Sequence, residues 1–96
     1  MLILQLQHKE EINVVEVVKL ALDIFNEDYI SYSFTEETLI ANLDKSQLIR
    51  IVTNLVTNAN QALEGQLNPK IKVTVSTDNK NIEIAVNDNG YFYFRV

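Results

Sequence analysis

Residues 44–65 read DKSQLIRIVTNLVTNANQALEG, and the reading of this stretch decides the fold. Leu48, Ile51, Val52, Leu55, Val56, Ala59, Ala62 and Leu63 recur at i, i+3, i+4, i+7 and i+8, the spacing of an amphipathic helix. At 100° per residue these positions fill a continuous face roughly 140° wide. Asp44 can accept from the amide of Gln47 while the Gln47 side chain reaches back, a capping box that starts the helix; Gly65 is its natural stop. Three asparagines, Asn54, Asn58 and Asn60, sit inside this helix although their amides compete with the backbone for hydrogen bonds. Two of them in place of alanine or lysine sacrifice on the order of 1 kcal/mol of helix propensity. Counted from Leu48, Asn54, Asn58 and Gln61 fall near about 240°, 280° and 220°, one polar stripe along one flank of the apolar face. Asn60 falls on the opposite flank, so the first three could act on one ligand and Asn60 could not join them. A plain polar flank of a surface helix is the competing reading. Amide oxygens beside an apolar face are, however, suitable hard ligands for Mg²⁺, which prefers oxygen and is often shared with nucleotide phosphates.

Around this helix the rest of a small α+β domain can be placed. Leu2, Leu4 and Leu6 alternate with Ile3, Gln5 and Gln7, a strand-like period of two. Asn13 with Glu16 three positions on is a capping-box pattern opening an apolar helix to about Phe25. Its valine-rich first half (Val14, Val15, Val17, Val18) would suit a strand equally well. Lys19, Leu20, Ala21, Leu22 and Asp23 favour the helix. Ile30, Tyr32 and Phe34 alternate with serines, and Leu39 and Ala41 oppose Ile40 and Asn42. Those two short strands could pair across a Thr35–Thr38 turn. After the long helix come two more strands, Ile71–Val75 and Ile82–Asn87, joined by the polar turn STDNKN. The chain closes with DNG and YFYFRV.

Bulk properties narrow the function. Ninety-six residues suffice for one domain and not for two, with about two-thirds of the unfolded surface buried. Nearly half the residues are hydrophobic, which argues against disorder. A formal net charge of −5 speaks against a nucleic-acid backbone or an anionic membrane as partner. The absence of cysteine removes disulfides and thiolate metal sites and fits a reducing compartment. MLILQLQ is too short for a membrane span and lacks a basic leader.

The run D-K-S-Q-L-I-R-I-V-T-N-L-V-T-N-A-N-Q-A-L from Asp44 to Leu63 resembles the N-box helix of sensor histidine kinases. These belong to the wider GHKL superfamily that includes gyrase and the MutL mismatch-repair ATPases. Asp44, Leu48, Asn54, Leu55, Asn58 and Ala59 meet the family pattern without a gap. The strand ending V-N-D-N-G is similar to the start of the family's G1 box, D-x-G-x-G. The resemblance covers residues 10–90 and implies a Bergerat-like fold: helices packed as one layer on a mixed, mostly antiparallel sheet.

It also implies roles. Asn58 matches the residue that coordinates the Mg²⁺ bridging the ATP phosphates, and Asn54 the one that assists at the phosphates. Gln61 stands where the family often carries a basic phosphate contact, which implies a weaker grip. Asp88 matches the carboxylate that accepts from the adenine amino group, and Gly90 the glycine beside the base. The chemistry is consistent: glycine lets backbone approach a ring, and Mg²⁺ neutralises phosphate charge that an acidic protein would repel. Gyrase-like relatives place a water-activating glutamate four residues before the metal-binding asparagine. Here that place holds Asn54, which cannot accept a proton at neutral pH. The expectation is therefore the ATP-binding catalytic part of a cytoplasmic two-component kinase. It would supply Mg·ATP for phosphoryl transfer to a histidine on a separate dimerisation domain, and thence to a response regulator. Its parent could still be attached to a membrane.

Departures from the pattern matter equally. After Gly90 the family continues with a second glycine, a lid over the ATP and further glycine-rich boxes. This chain reads Tyr91-Phe92-Tyr93-Phe94-Arg95-Val96, with Phe92 at the second glycine. We expect the N-terminal portion of such a domain, with 91–96 a diverged or foreign tail, inactive by itself. Asn89-Gly90 also suits a type I′ hairpin returning the aromatic run along Ile82–Asn87. An aromatic end strand, and an open sheet edge where the missing strands would lie, invite self-association as a homodimer or larger species. His8, followed by Lys9 in a strand-like segment, reads as a solvated strand-end histidine and not as the phosphoacceptor. The rival reading is an interaction domain that keeps the scaffold without nucleotide, and a weaker one is a self-contained ATPase.

Overall fold

The computed structural model describes residues 8–78, 81–88 and 91–95, the last of these by backbone alone. The elements run β1 (Lys9–Asn13), α1 (Val14–Leu22), β2 (Ile30–Phe34), β3 (Ile40–Asp44), α2 (Lys45–Ala62), β4 (Ile71–Thr77), β5 (Ile82–Asn87) and β6 (Tyr91–Arg95). The expected strand at residues 2–7 lies outside the described residues.

Two sheets form. β1 and β3 make an antiparallel ribbon, and β2-β4-β5-β6 a four-stranded mixed sheet. In the larger sheet β2 runs parallel to β4, while β4, β5 and β6 are antiparallel neighbours. The α+β class with helices on a mixed sheet is as the sequence implied. Alternation sets the layers. Ile71, Val73 and Val75 on β4 and Ile84 and Val86 on β5 share one face and are fully buried. Against them lie the apolar faces of the helices, with Val14, Val15 and Val18 from α1 and Val52, Val56 and Ala59 from α2. The opposite face of β4 carries the exposed Lys72 and the half-buried Thr74 and Ser76.

The expected hairpin between the Ile30–Phe34 strand and the Leu39–Asn42 strand does not form. β2 pairs with β4, Ile30 to Ile71 through Phe34 to Val75, and Thr35 extends the ladder by donating to the Val75 carbonyl at 3.1 Å. β3 pairs instead with β1, Asn13 to Ile40 through Lys9 to Asp44. The apolar side of β2 continues the Ile71–Val73–Val75 face, and burial of that face outweighs a local turn. Asn13 holds the divergence in place. Its Oδ1 accepts from the Val15 amide at 3.2 Å, capping α1, and from the Leu39 amide at 3.1 Å. The Leu39 carbonyl in turn accepts from Val14 at 2.8 Å. One side chain thus starts a helix and fixes the entry to β3.

α1 stops at Leu22, three residues before the expected Phe25. The chain continues in tighter turns, with Ile24 donating to Ala21 and Phe25 to Leu22. β6 pairs with β5 from Asn87–Tyr91 to Glu83–Arg95, so the aromatic tail does return along β5. Asn89 and Gly90, where the type I′ turn was expected, lie outside the described residues.

Candidate functional site

α2 runs for 18 residues and carries the candidate ligands. The Asp44 half of the expected capping box is present: Asp44 Oδ1 accepts from the Gln47 amide at 3.1 Å. The other oxygen, Oδ2, accepts from the backbone amide of His8 at 2.9 Å, which ties β1 to the helix start. Amides of Gln47, His8 and Ser46 turned on this carboxylate hold its pKa below the ordinary aspartate value. His8 is exposed and serves here through its backbone.

Leu48, Val52, Val56 and Ala59 form the buried face of α2, with Leu63 continuing it at the C-cap. Asn54 and Asn58 are exposed, one turn apart on the flank of that face. Asn60 is half-buried, and its Oδ1 accepts from the Tyr29 hydroxyl at 2.7 Å. Partial burial, and then the nearby carboxylates of Glu27 and Asp28, raise the Tyr29 phenol above its ordinary pKa, so it stays a proton donor. One of the three helix asparagines is therefore explained by packing: it receives a tyrosine from the segment leading into β2.

Beyond the last turn of α2 lies an open hollow of about 440 Å³, lined by Tyr29, Asn60, Gln61, Glu64 and Gln66 among others. Gln61 therefore shares a hollow with Asn60, which the helical wheel had put on the opposite flank. At the end of a helix one concavity reaches round both flanks, and a wheel projection does not represent that. A second hollow, of about 600 Å³, is lined by Asp88 together with Asn87, Lys70, Lys72, Asp28 and Tyr29. Asp88 directly follows β5 and is half-buried. Tyr29 and Pro69 line both hollows, so the two adjoin there. Asn54 and Asn58 line neither of these two hollows. Gly90 lies outside the described residues.

The donor set is oxygen-rich and uncharged on the helix, with one carboxylate at the end of β5. Exposed carboxamide oxygens suit a cation that retains several waters and shares phosphate oxygens, as Mg²⁺ does. Among the described residues no cluster of three histidine, cysteine, aspartate or glutamate side chains could hold a metal alone. A metal here would depend on a ligand that brings its own oxygens. Sequence reading missed Tyr29, although a tyrosine just before a strand, with an apolar ring and a polar tip, was a usable signal.

No family model matches the chain. Among curated proteins, one similar to it is a Rickettsia bellii (strain RML369-C) protein named as an NtrY-like sensor histidine kinase, 33% identical over 78 residues. A protein of the same name from Rickettsia conorii (strain ATCC VR-613 / Malish 7) is 34% identical over 65 residues. These alignments cover 81% and 66% of the chain, but only 12% and 11% of the relatives. Among solved structures, the nucleotide-free catalytic domain of histidine kinase ThkA superposes with a TM-score of 0.78 at 23% identity. That match takes in 88% of this chain and 60% of the other. ThkA in complex with the response regulator protein TrrA matches with a TM-score of 0.75 at 24% identity, over 85% of this chain and 26% of that one. By sequence the chain is a homologue of part of the sensor histidine kinases, and its fold is that of a histidine-kinase catalytic domain.

Proposed function

We propose that this chain is the ATP-binding catalytic segment of a two-component sensor histidine kinase, acting in the cytoplasm. The observation that carries the proposal is the exposed pair Asn54 and Asn58 on the flank of α2, in the N-box pattern. Asp88 at the end of β5 supports it. In this reading Asn58 ligates Mg²⁺ through its amide oxygen and Asn54 orients the phosphate end. Asp88 accepts from the adenine amino group and excludes bases that present a carbonyl there. Bound Mg²⁺ would neutralise phosphate charge and so ease transfer of the terminal phosphoryl group. Gln61 can donate to a phosphate oxygen without a charge, which makes it a weaker contact than lysine or arginine.

Asn54 cannot take a proton from water at neutral pH, so this chain holds no base there for hydrolysis. The acceptor is then a histidine on a separate dimerisation domain, with a response regulator as the next recipient. The ThkA–TrrA pairing is the precedent for that partner.

A scaffold that binds a protein partner without nucleotide is the second reading. It is favoured by the two asparagines lining neither of the hollows flanking Tyr29. Calorimetry on the intact parent protein separates the two. The kinase reading expects Mg·ATP binding that Asn58→Ala abolishes, with Mg²⁺-free binding little changed. Parent protein that binds no Mg·ATP, or binds it equally well with Asn58→Ala, refutes it.

A further inference from the structure

We infer that the Tyr29–Asn60 hydrogen bond is a positioning strut, fixing the C-terminal half of α2 against the sheet so that Asn58 stands in set register with Asp88. The inference rests on the proposed nucleotide site and names the part of the fold that gauges its length.

A ligand that meets Asp88 with its base and Asn58 with its metal-bearing end must span from the end of β5 to the flank of α2. The covalent link between them does not fix that span. After α2 the chain turns through Gly65 at φ +81° and Asn68 at φ 56°, with Leu67 almost fully exposed, before β4 begins. The N-terminal end of α2 is anchored by Asp44 to the His8 and Gln47 amides, a long way along the helix from Asn58. Buried Ala59 and Leu63 hold the C-terminal half by apolar contact. Such contact is non-directional and tolerates small rotations of the helix.

Tyr29 supplies the direction. Its hydroxyl reaches Asn60 at 2.7 Å, and its own carbonyl accepts from the Ile71 amide at 3.0 Å. Ile71 opens β4, whose next residue, Lys72, pairs with Asn87, the neighbour of Asp88. Hydrogen bonds from Asn60 through Tyr29 to the start of β4, and strand pairing from there to Asn87, therefore lead to the residue next to Asp88. Tyr29 also lines both hollows, that of Gln61 and that of Asp88. Side-chain tips ride on a cylinder of radius about 5 to 6 Å, so a helix rotation of about 20° moves Asn58 by about 2 Å. Displacements of about 1 Å are enough to weaken a geometry-dependent site severely.

Tyr29→Phe removes the hydroxyl and keeps the ring, and Asn60→Ala removes the acceptor. In the 96-residue chain, ¹H–¹⁵N spectra of either variant should show shifted or broadened amides from Asn58 to Leu63. Those from Leu48 to Val52 should stay unchanged. In the intact parent, each variant should weaken Mg·ATP binding about three- to tenfold, the yield of one net hydrogen bond, and Asn60→Ala, at a residue that lines the Gln61 hollow and not the Asp88 one, should leave adenosine affinity unchanged. Adenosine touches only the Asp88 end, whereas Mg·ATP must satisfy both ends. The double variant should be no weaker than either single one, because both remove the same bond. Unchanged amides at Asn58 overturn the strut, as does equal weakening of adenosine and Mg·ATP by Asn60→Ala, which marks mere destabilisation. Wild-type parent that binds neither ligand overturns the proposed function, while the spectra still decide whether Tyr29 sets the helix.

Discussion

Asn13→Ala tests how far a single side chain holds the crossing between the two sheets. Asn13 Oδ1 accepts from the amides of Val15 and Leu39, both in partly buried settings. Removing the cap costs about 1 kcal/mol by itself. Leaving the Leu39 amide without its partner costs about a further 1 kcal/mol. The expected loss is therefore about 2 kcal/mol, well above the effect of an exposed substitution such as Thr57→Ala, which should stay within about 0.5 kcal/mol. For a domain of this size that is a fall in Tm of about 8 to 16 °C. Urea unfolding followed by circular dichroism should give the same loss as a lowered midpoint with an unchanged slope. Asn13→Asp keeps the accepting oxygen and places negative charge at a helix start but gives up the Nδ2 donation to the Glu37 carbonyl at 3.4 Å, so it should lose clearly less than Asn13→Ala. Loss below about 0.5 kcal/mol for Asn13→Ala, or an equal loss for Asn13→Asp, would refute the double role given to this oxygen.

Gly65→Ala should destabilise by about 1 kcal/mol through backbone strain alone, because φ is +81° and nothing lies within 4 Å of an added Cβ. Gly65→Asn, better tolerated at positive φ, should lose less in the same melt. The depressed pKa of Asp44 has a definite sign for stability. Its contribution is complete above the ordinary aspartate pKa and is lost as pH falls through the lower folded value. Acid-side melting curves should show that Asp44→Asn removes part of the pH dependence of Tm. Identical dependence in both proteins would contradict the cap geometry.

The parts of the fold visible in the sequence are those set by local signals. Asp44, the Leu48–Leu63 periodicity and Gly65 specify α2 from start to stop, and Ile71–Val75 and Ile82–Asn87 alternate as strands should. β1 was not legible, because KEEIN buries only Ile12 and otherwise reads as a charged loop. The pairing of β2 was misread because its partner lies some forty residues on, across α2, where turn signals carry no information. In the candidate site, the exposure of Asn54 and Asn58 follows from helical spacing. The role of Asn60 does not, since it depends on Tyr29, 31 positions away. A wheel could say which flank Asn60 occupies but not what meets it there.

The central claim is that the exposed carboxamides of α2 face a nucleotide-bound metal, and paramagnetic relaxation tests it most directly. Mn²⁺ replaces Mg²⁺ in ¹H–¹⁵N spectra of the isotopically labelled parent protein, recorded with and without ATP. The account predicts ATP-dependent broadening strongest at the side-chain amide of Asn58, weaker at Asn54, and weaker still at Asp88. ATP-dependent broadening centred elsewhere, or none on α2, would contradict it.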